Sequence, residues 1–439
     1  MIVRKFQRTI IFSLCLFSAD RVSVFGQLSS DDPLSGVSIS VIDVDPHDSR
    51  IVYAGSWTGI FKSTDGGGNW ARPGAASPAG TTALVIDPQN SNTIWAAAYN
   101  DYDDGIFRSL DAGTTWAKVI NLVGAWTIAV DPQQTNSVLA GAGYGDIGAT
   151  PGIVKSVDGG SSWRYTSNYS IYTLAIDPQN SNTVYAGGNG VLLKSTDGGQ
   201  HWNAPIPFWP FGYVTSLAVD PKNPSIIYAG TYRTGVLKST DGGSSWTSVT
   251  SDLGEISMNH LVIDRNDTNV VYASASWIGL NGGLTEGFAG LLKTTDGGIT
   301  WNRVSKLNTV LIRAMAIDTE NPATVYLGTD SGVWKTSDGG SSWSANSGFP
   351  ILSLSMYPCI GGVWYLRVSN ARANSPIQLF GTSNGESWLI GNWRTTNSNG
   401  TFAENGIFAP GTEGSYTLRM DVGGLNSNTA SFTVTSCKR

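Results

Sequence analysis

The chain reads as an all-β protein, a seven-bladed β-propeller followed by a small C-terminal β-sandwich. Three observations lead there. An eight-residue phrase, in full form Ser239-Thr240-Asp241-Gly242-Gly243-Ser244-Ser245-Trp246, occurs in seven versions that start at Ser63, Ser109, Ser156, Ser195, Ser239, Thr294 and Thr336. Between copies, four strand-sized apolar runs per unit recur with a period of about 45 residues, rich in Gly turns. After Trp343 the phrase stops, and alternating strands without it take over.

The phrase itself is a tight hairpin turn. Its acid stands at Asp65, Asp111, Asp158, Asp197, Asp241, Asp296 and Asp338, and a Trp follows five residues later, at Trp70, Trp116, Trp163, Trp202, Trp246, Trp301 and Trp343. A glycine pair supplies positive φ, the carboxylate accepts turn amides, the Ser/Thr hydroxyl assists, and the Trp anchors the returning strand. In the second copy Ala112-Gly113 replaces the pair. The phrase resembles the Asp box, or BNR repeat, of sialidases, sortilin-type receptors, xyloglucanase-type glycoside hydrolases and photosystem II assembly factors. The resemblance implies a propeller whose boxes are structural. Since those families differ in chemistry, it leaves function open.

At the amino end, Met1 to Gly26 reads as a secretory signal peptide. Arg4, Lys5 and Arg8 precede an apolar stretch, Thr9 to Ala19, too short to span a bilayer, and Val24-Phe25-Gly26 offers a cut site. The expected mature chain is soluble, outside the cytoplasm and not inserted in a membrane. Cleavage removes four basic residues and one acid, so the formal charge moves from −6 to −9. An acidic chain with no basic run disfavours nucleic acid and anionic lipid, and suits cationic or neutral partners. Beyond Cys15 only Cys359 and Cys437 remain, expected to pair in an oxidising compartment. Such a bridge closes a loop of roughly 80 residues, worth ~4 kcal/mol in the chain-entropy model. No metal site or cofactor is expected from these two thiols.

From 35 to 350 each unit carries an apolar run ending in Asp, usually before Pro, then a second run such as Val184-Tyr185-Ala186-Gly187, then a third ending in a basic residue before the phrase. The first Asp and the aromatic or Leu of the second run are eight residues apart in all seven units, from Asp45 to Tyr53 through Asp318 to Tyr326. The stretch from there to the basic residue varies, from 9 (Tyr53 to Lys62) to 21 (Tyr272 to Lys293), and the links between units vary too. Antiparallel strands alternate direction, so the constant turns share one face and the variable loops share the other. Insertions that a fold does not need are where binding is usually placed.

Four stretches decorate the variable face. They are Tyr99 to Asp104 with Asp101 and Asp103, Tyr144 to Pro151 with Asp146, Pro205 to Phe211 with Trp209, and Trp277 to Phe288 with Glu286. Carboxylates beside aromatic rings suit sugars, which stack on rings and donate hydroxyl hydrogen bonds to acids. The plainer alternative is rings packed beneath long loops and acids merely solvated. Asp101, Asp103 and Asp104 lack the rest of a calcium loop. The basic residues before each phrase (Lys62, Arg108, Lys155, Lys194, Lys238, Lys293 and Lys335) recur in every unit, which points to a structural role with their stems along apolar surface.

Enzyme readings find less support. His47, His201 and His260 are the only histidines, and none pairs with Ser or Cys at a suggestive spacing. A sialidase-like reading requires an Arg-Ile-Pro near the first blade, where this chain offers only Ala71-Arg72-Pro73 after a box. A xyloglucanase-like reading requires opposed acids, for which Glu286 and Asp101, Asp103 or Asp104 are the candidates, about three blades apart.

Residues 352 to 358 still resemble a first strand and offer help in closing the ring. From Cys359 onward, strands at Val363–Val368, Ile377–Gly381, Ser387–Ile390, Tyr416–Val422 and Ala430–Thr435 predict a β-sandwich over 359–439, with a general resemblance to immunoglobulin-like modules of secreted bacterial proteins. The sequence reading is therefore a secreted, non-catalytic binding or scaffold propeller for a glycan or protein ligand. The alternative is a glycoside hydrolase using acids on the same face.

Overall fold

The computed structural model describes 33–345 except 35–36, 75, 101–103, 144–150, 205, 208–211, 254–255, 278–288, 305–306, 308–310 and 331, and describes the backbone of Val22–Phe25 and of the strands between Ile351 and Val434. It divides into two compact units, one spanning Ser38–Asn346 and the other holding the remaining residues.

The larger unit is a ring of seven antiparallel sheets. The first strands are Ile39–Val44, Thr81–Asp87, Ala125–Val130, Ile171–Ile176, Val214–Val219, Ile256–Ile263 and Ile312–Ile317, one per blade in order. Each packs on the first strand of the next blade, and the seventh packs back on Ile39–Val44, which closes the ring. Blades 2 to 7 have four strands. Blade 1 has three, with a single bridge from Lys62 to Ala71 in place of the fourth.

The second strand sits inside each sheet, with neighbouring blades covering it on both sides. Val52–Ser56, Val184–Gly188, Ile227–Thr231 and Val325–Thr329 are buried at every position. Full burial explains why this strand reads Tyr-Ala-Gly rather than alternating with polar residues. The glycine is a matter of space: a Cβ on Gly187 would lie 2.4 Å from Val214 Cγ1 in the next blade. The Tyr has a second task. Tyr228 Oη donates to the carbonyl of Gly297, in the next blade's box, at 2.8 Å, and Lys238 Nζ donates to the same oxygen at 2.6 Å while lying over the Tyr228 ring.

That latch recurs around the ring and seals it, since Tyr326 and Lys335 of blade 7 both donate to Gly66 of blade 1, at 3.0 and 2.8 Å. In blades 2 to 7 the basic residue before the box is thus structural, as expected, but through its charged head rather than only its stem, while Lys62 of blade 1 lies over the Tyr53 ring. Charge-assisted donors to a partly buried carbonyl are worth more than neutral ones.

Each box closes as its residue types require. Asp241 Oδ1 accepts from Ser239 Oγ at 2.8 Å and from the Ser245 amide at 2.9 Å, and Oδ2 accepts from Ser245 Oγ at 2.6 Å. Ser239 Oγ in turn accepts the Gly243 amide, and Trp246 Nε1 donates to Gly243 O. Gly242 and Gly243 have φ of 70° and 88°, and Ala112 takes the first of these places in blade 2 at φ 56°. These donors hold the box carboxyls low, Asp65, Asp111, Asp158, Asp241 and Asp296 at about 2.

The second unit has two sheets. One runs Val22–Phe25, Ile351–Met356, Val363–Ser369, Phe402–Ile407, and the other Glu386–Leu389, Pro376–Ser383, Gly414–Val422, Leu425–Val434. Phe402–Ile407 is a strand that the sequence reading missed. Ile351–Met356 belongs to this unit, pairing with Val22–Phe25 and Val363–Ser369, so it does not help close the propeller. The first and seventh blades already meet directly and leave no edge for it. Val22–Phe25 falls within the expected signal peptide, and cleavage after Gly26 would expose the edge of Ile351–Met356. Cys359 and Cys437 lie outside the described residues.

Candidate functional site

The two faces of the ring are distinguished by backbone hydrogen bonds. On one, the box turn bonds to the turn between first and second strands of its own blade, as Gly242 N does to Ser225 O at 2.9 Å, and all seven blades repeat this. On the other, the turn between second and third strands bonds to the link between blades: Tyr99 N to Gly80 O, Gly143 N to Gly124 O, Asn189 N to Ser170 O, Tyr232 N to Tyr213 O. The constant turns and the variable loops therefore occupy separate faces, as the spacings imply.

Every first strand enters from the loop face and bulges near its start, at the second residue in six blades and at the fourth in Ile256–Ile263, where the register shifts by one. Read around the ring, that residue is Ser40, Thr82, Trp126, Tyr172, Thr215, Asn259, Arg313. Four of them are small and polar, and they donate across the seam to the next blade: Ser40 to Thr81 O at 2.5 Å, Thr82 to Ala125 O at 2.7 Å, Thr215 to Met258 O, and Asn259 to Ile312 O at 3.4 Å. A bulge leaves one residue unpaired and re-aims its side chain. In blades 3 and 4 that side chain is an aromatic ring.

Trp126 and Tyr172 begin an arc. Tyr99 and Trp126 have ring centroids 5.7 Å apart, Tyr172 and Tyr213 6.1 Å, Tyr213 and Tyr232 5.7 Å. Trp126 and Tyr172 both crowd Gly143, where a Cβ would meet Tyr172 at 2.7 Å and Trp126 at 2.9 Å. Five rings thus run across blades 2 to 5 on the loop face. Tyr213 and Tyr232 keep 42% and 37% of their surface open to solvent, so part of the arc is available to a ligand.

Of the residues expected here from sequence, Tyr99 joins the arc. Asp104 is tied down, its Oδ1 accepting the Asn100 amide at 2.6 Å. Trp277 ends the second strand of blade 6, Val271–Trp277. Asp101, Asp103, Tyr144, Asp146, Trp209 and Glu286 lie outside the described residues. Trp126, Tyr172, Tyr213 and Tyr232 were missed because they belong to strand ends rather than to the long insertions. Aligning the seven first strands would have exposed two of them, as rings in a column otherwise small or polar.

Two titratable groups lie along the first strands. Burial pushes Asp43 up to about 7 against the pull of two amides, Val44 N on Oδ1 and Ile86 N on Oδ2. Burial also pushes His260 down to about 4, with a hydrogen bond to the Arg313 backbone opposing it. At the box end, blades 4 to 7 line a cavity of about 340 Å³, mostly with apolar residues such as Ile176, Ala218, Val262 and Ile263, together with Arg265 and Thr319.

The family model described as photosynthesis system II assembly factor YCF48, a BNR repeat model, matches 215–372. The chain is a BNR-type β-propeller. Among curated proteins, the propeller chain is 30% identical over 116 residues to a xyloglucanase of Hypocrea jecorina and 27% identical over 175 residues to one of Paenibacillus. These matches take in 22% and 37% of this chain but only 14% and 15% of the enzymes. Among solved structures, the GH74 xyloglucanase of Xanthomonas campestris is similar at TM-score 0.58 and 14% identity, over 93% of this chain and 81% of that one. A structure of YCF48 bound to a D1 peptide is similar at TM-score 0.51 and 12% identity, over 73% and 98%. At such identities the likeness concerns the fold of this BNR propeller alone. Among the described residues no helix is long and apolar enough to cross a membrane.

Proposed function

We propose that this chain is a secreted, non-catalytic binding propeller that holds a glycan on its loop face. The observation that carries the reading is the arc of Tyr99, Trp126, Tyr172, Tyr213 and Tyr232. Rings with open faces take the apolar side of a sugar while their edges and hydroxyls remain wet. An arc across four blades fits an extended chain of sugars better than a single residue. A protein segment is the other occupant the rings would accept. Secretion rests on the signal-like residues 1–26, and the second unit is proposed as a β-sandwich stapled by Cys359 and Cys437.

One observation favours a second reading. Sequence similarity to two xyloglucanases supports a glycoside hydrolase with Asp101, Asp103, Asp104 or Glu286 as its acids. A glycan array followed by a reducing-sugar assay on the glycans that bind separates the two. Binding that Tyr213→Ala weakens, with no released sugar ends, is the expected outcome. Turnover abolished in Glu286→Gln or Asp103→Asn would establish the hydrolase instead.

A further inference from the structure

The arc ends at a residue that the fold alone does not explain. Arg233 follows Tyr232 in the turn between second and third strands of blade 5, and it has φ 87°, one of two non-glycine residues in the left-handed region among the described residues. The other, Ala112, substitutes for a box glycine. A residue with a Cβ is disfavoured there. Blades 1 and 7 make the same turn with one residue fewer (Ser56 to Gly59 and Thr329 to Gly332), and in blade 1 no residue before the glycine has positive φ. Arg233 is thus an insertion held in a strained conformation.

The strain is locked in by the neighbouring blade. Arg233 N donates to Ser257 Oγ at 3.2 Å, Arg233 O accepts from Ile256 N at 3.2 Å, and Thr234 bridges to Ile256. The side chain is exposed, with its guanidinium 5.7 Å from the centre of the Tyr232 ring. Most other arginines of the propeller have polar partners: Arg50 with Asp48, Arg72 with Thr58 O, Arg108 with Gly159 O, Arg164 with Gln200, Arg313 with Asp330. Among the described residues, Arg233 makes no ion pair or side-chain hydrogen bond. Strain of this kind persists where the surroundings over-determine it, and it concentrates at binding sites.

We infer that Arg233 receives a carboxylate, so that the glycan on the arc bears uronic acid residues rather than being neutral. This rests on the proposed binding face and sharpens it. A planar guanidinium offers a carboxylate two parallel N–H donors, and the adjacent Tyr232 ring carries the sugar that bears it. The net negative charge of the chain opposes long polyanions, but charges more than a Debye length away are screened at physiological salt. One fixed arginine then discriminates by contact rather than by long-range field.

The test is affinity for polygalacturonate, alginate and glucuronoxylan, each beside its carboxyl-reduced, neutral form, with xyloglucan as an uncharged control. At least one acidic polymer should bind at least tenfold more tightly than its reduced form, and Arg233→Gln should remove that difference while leaving the affinity for the reduced form unchanged. Arg233→Gly should do the same and also raise the midpoint of thermal unfolding, because glycine relieves the strained φ. Equal binding of acidic and reduced forms, or a difference that survives Arg233→Gln, overturns the carboxylate assignment. If xyloglucan alone binds and Tyr213→Ala weakens it, the inference fails and the binding face stands. If no glycan binds, both fall together.

Discussion

The two faces of the propeller solve opposite problems with the same strands. On the box face the blades are alike: a carboxylate with three or more donors, an aromatic ring or Leu fitted beneath the next box, and, in all but blade 1, a basic residue reaching that box's carbonyl. On the loop face the equivalent places differ from blade to blade. The bulged position holds hydroxyls and an amide where it only seals a seam, and Trp126, Tyr172 and Arg313 where it does not. Uniformity marks the face that holds the ring together, and departure from it marks the face that has something else to do.

That contrast can be broken or sharpened by mutation. The largest loss of stability is expected at the packed glycines, where Gly187→Ala forces a Cβ against Val214 and Thr173. Overpacking of this kind costs about 3 kcal/mol, read as a lower urea midpoint at unchanged slope. Next comes the box face. Ser239→Ala removes a buried hydroxyl that accepts the Gly243 amide and supports Asp241, and orphaning that amide costs about 2 kcal/mol. Tyr213→Ala on the loop face should cost under ~0.5 kcal/mol of stability, yet weaken glycan binding about fivefold, since aromatic contacts of this kind are worth roughly a kcal/mol. A stability loss as large as that of Ser239→Ala would erase the distinction between faces.

The mildest effect is expected from pH. Box carboxyls whose folded values are depressed to about 2 contribute stability present above pH ~4 and lost as pH falls towards 2. Asp43 has the opposite sign. Raised to about 7, it binds its proton more tightly in the folded chain, so its contribution declines as pH climbs from ~4 to ~7 and is constant above. Thermal unfolding followed from pH 2 to 8 should show both limbs, and Asp43→Asn should flatten only the upper one. A profile with no acid limb would remove the boxes as a source of stability.

Much of the architecture was legible because it is written in repeats. Seven copies of one phrase fix seven turns, the eight-residue spacing from Asp45 to Tyr53 and its counterparts fixes which turns stay short, and alternation of strand direction then separates the faces. The site was only half legible. Long insertions drew attention to Asp101, Asp103, Asp104, Tyr144 and Glu286, whereas the rings that meet were Trp126, Tyr172, Tyr213 and Tyr232, at strand ends of ordinary length. Sequence distance conceals them: Tyr99 and Trp126 are 27 positions apart and belong to different blades, yet their rings are in contact.

The sequence by itself determined the blade count, the box hairpins and the division into constant and variable turns, because each depends on local backbone chemistry repeated at a fixed interval. Only the tertiary structure decided that Ile351–Met356 leaves the ring, that the basic residue before a box reaches the next blade, that every first strand bulges near its start, and that Arg233 stands strained at the end of an aromatic arc. Those are contacts between blades. Closing the ring sets them, and no single repeat contains both partners.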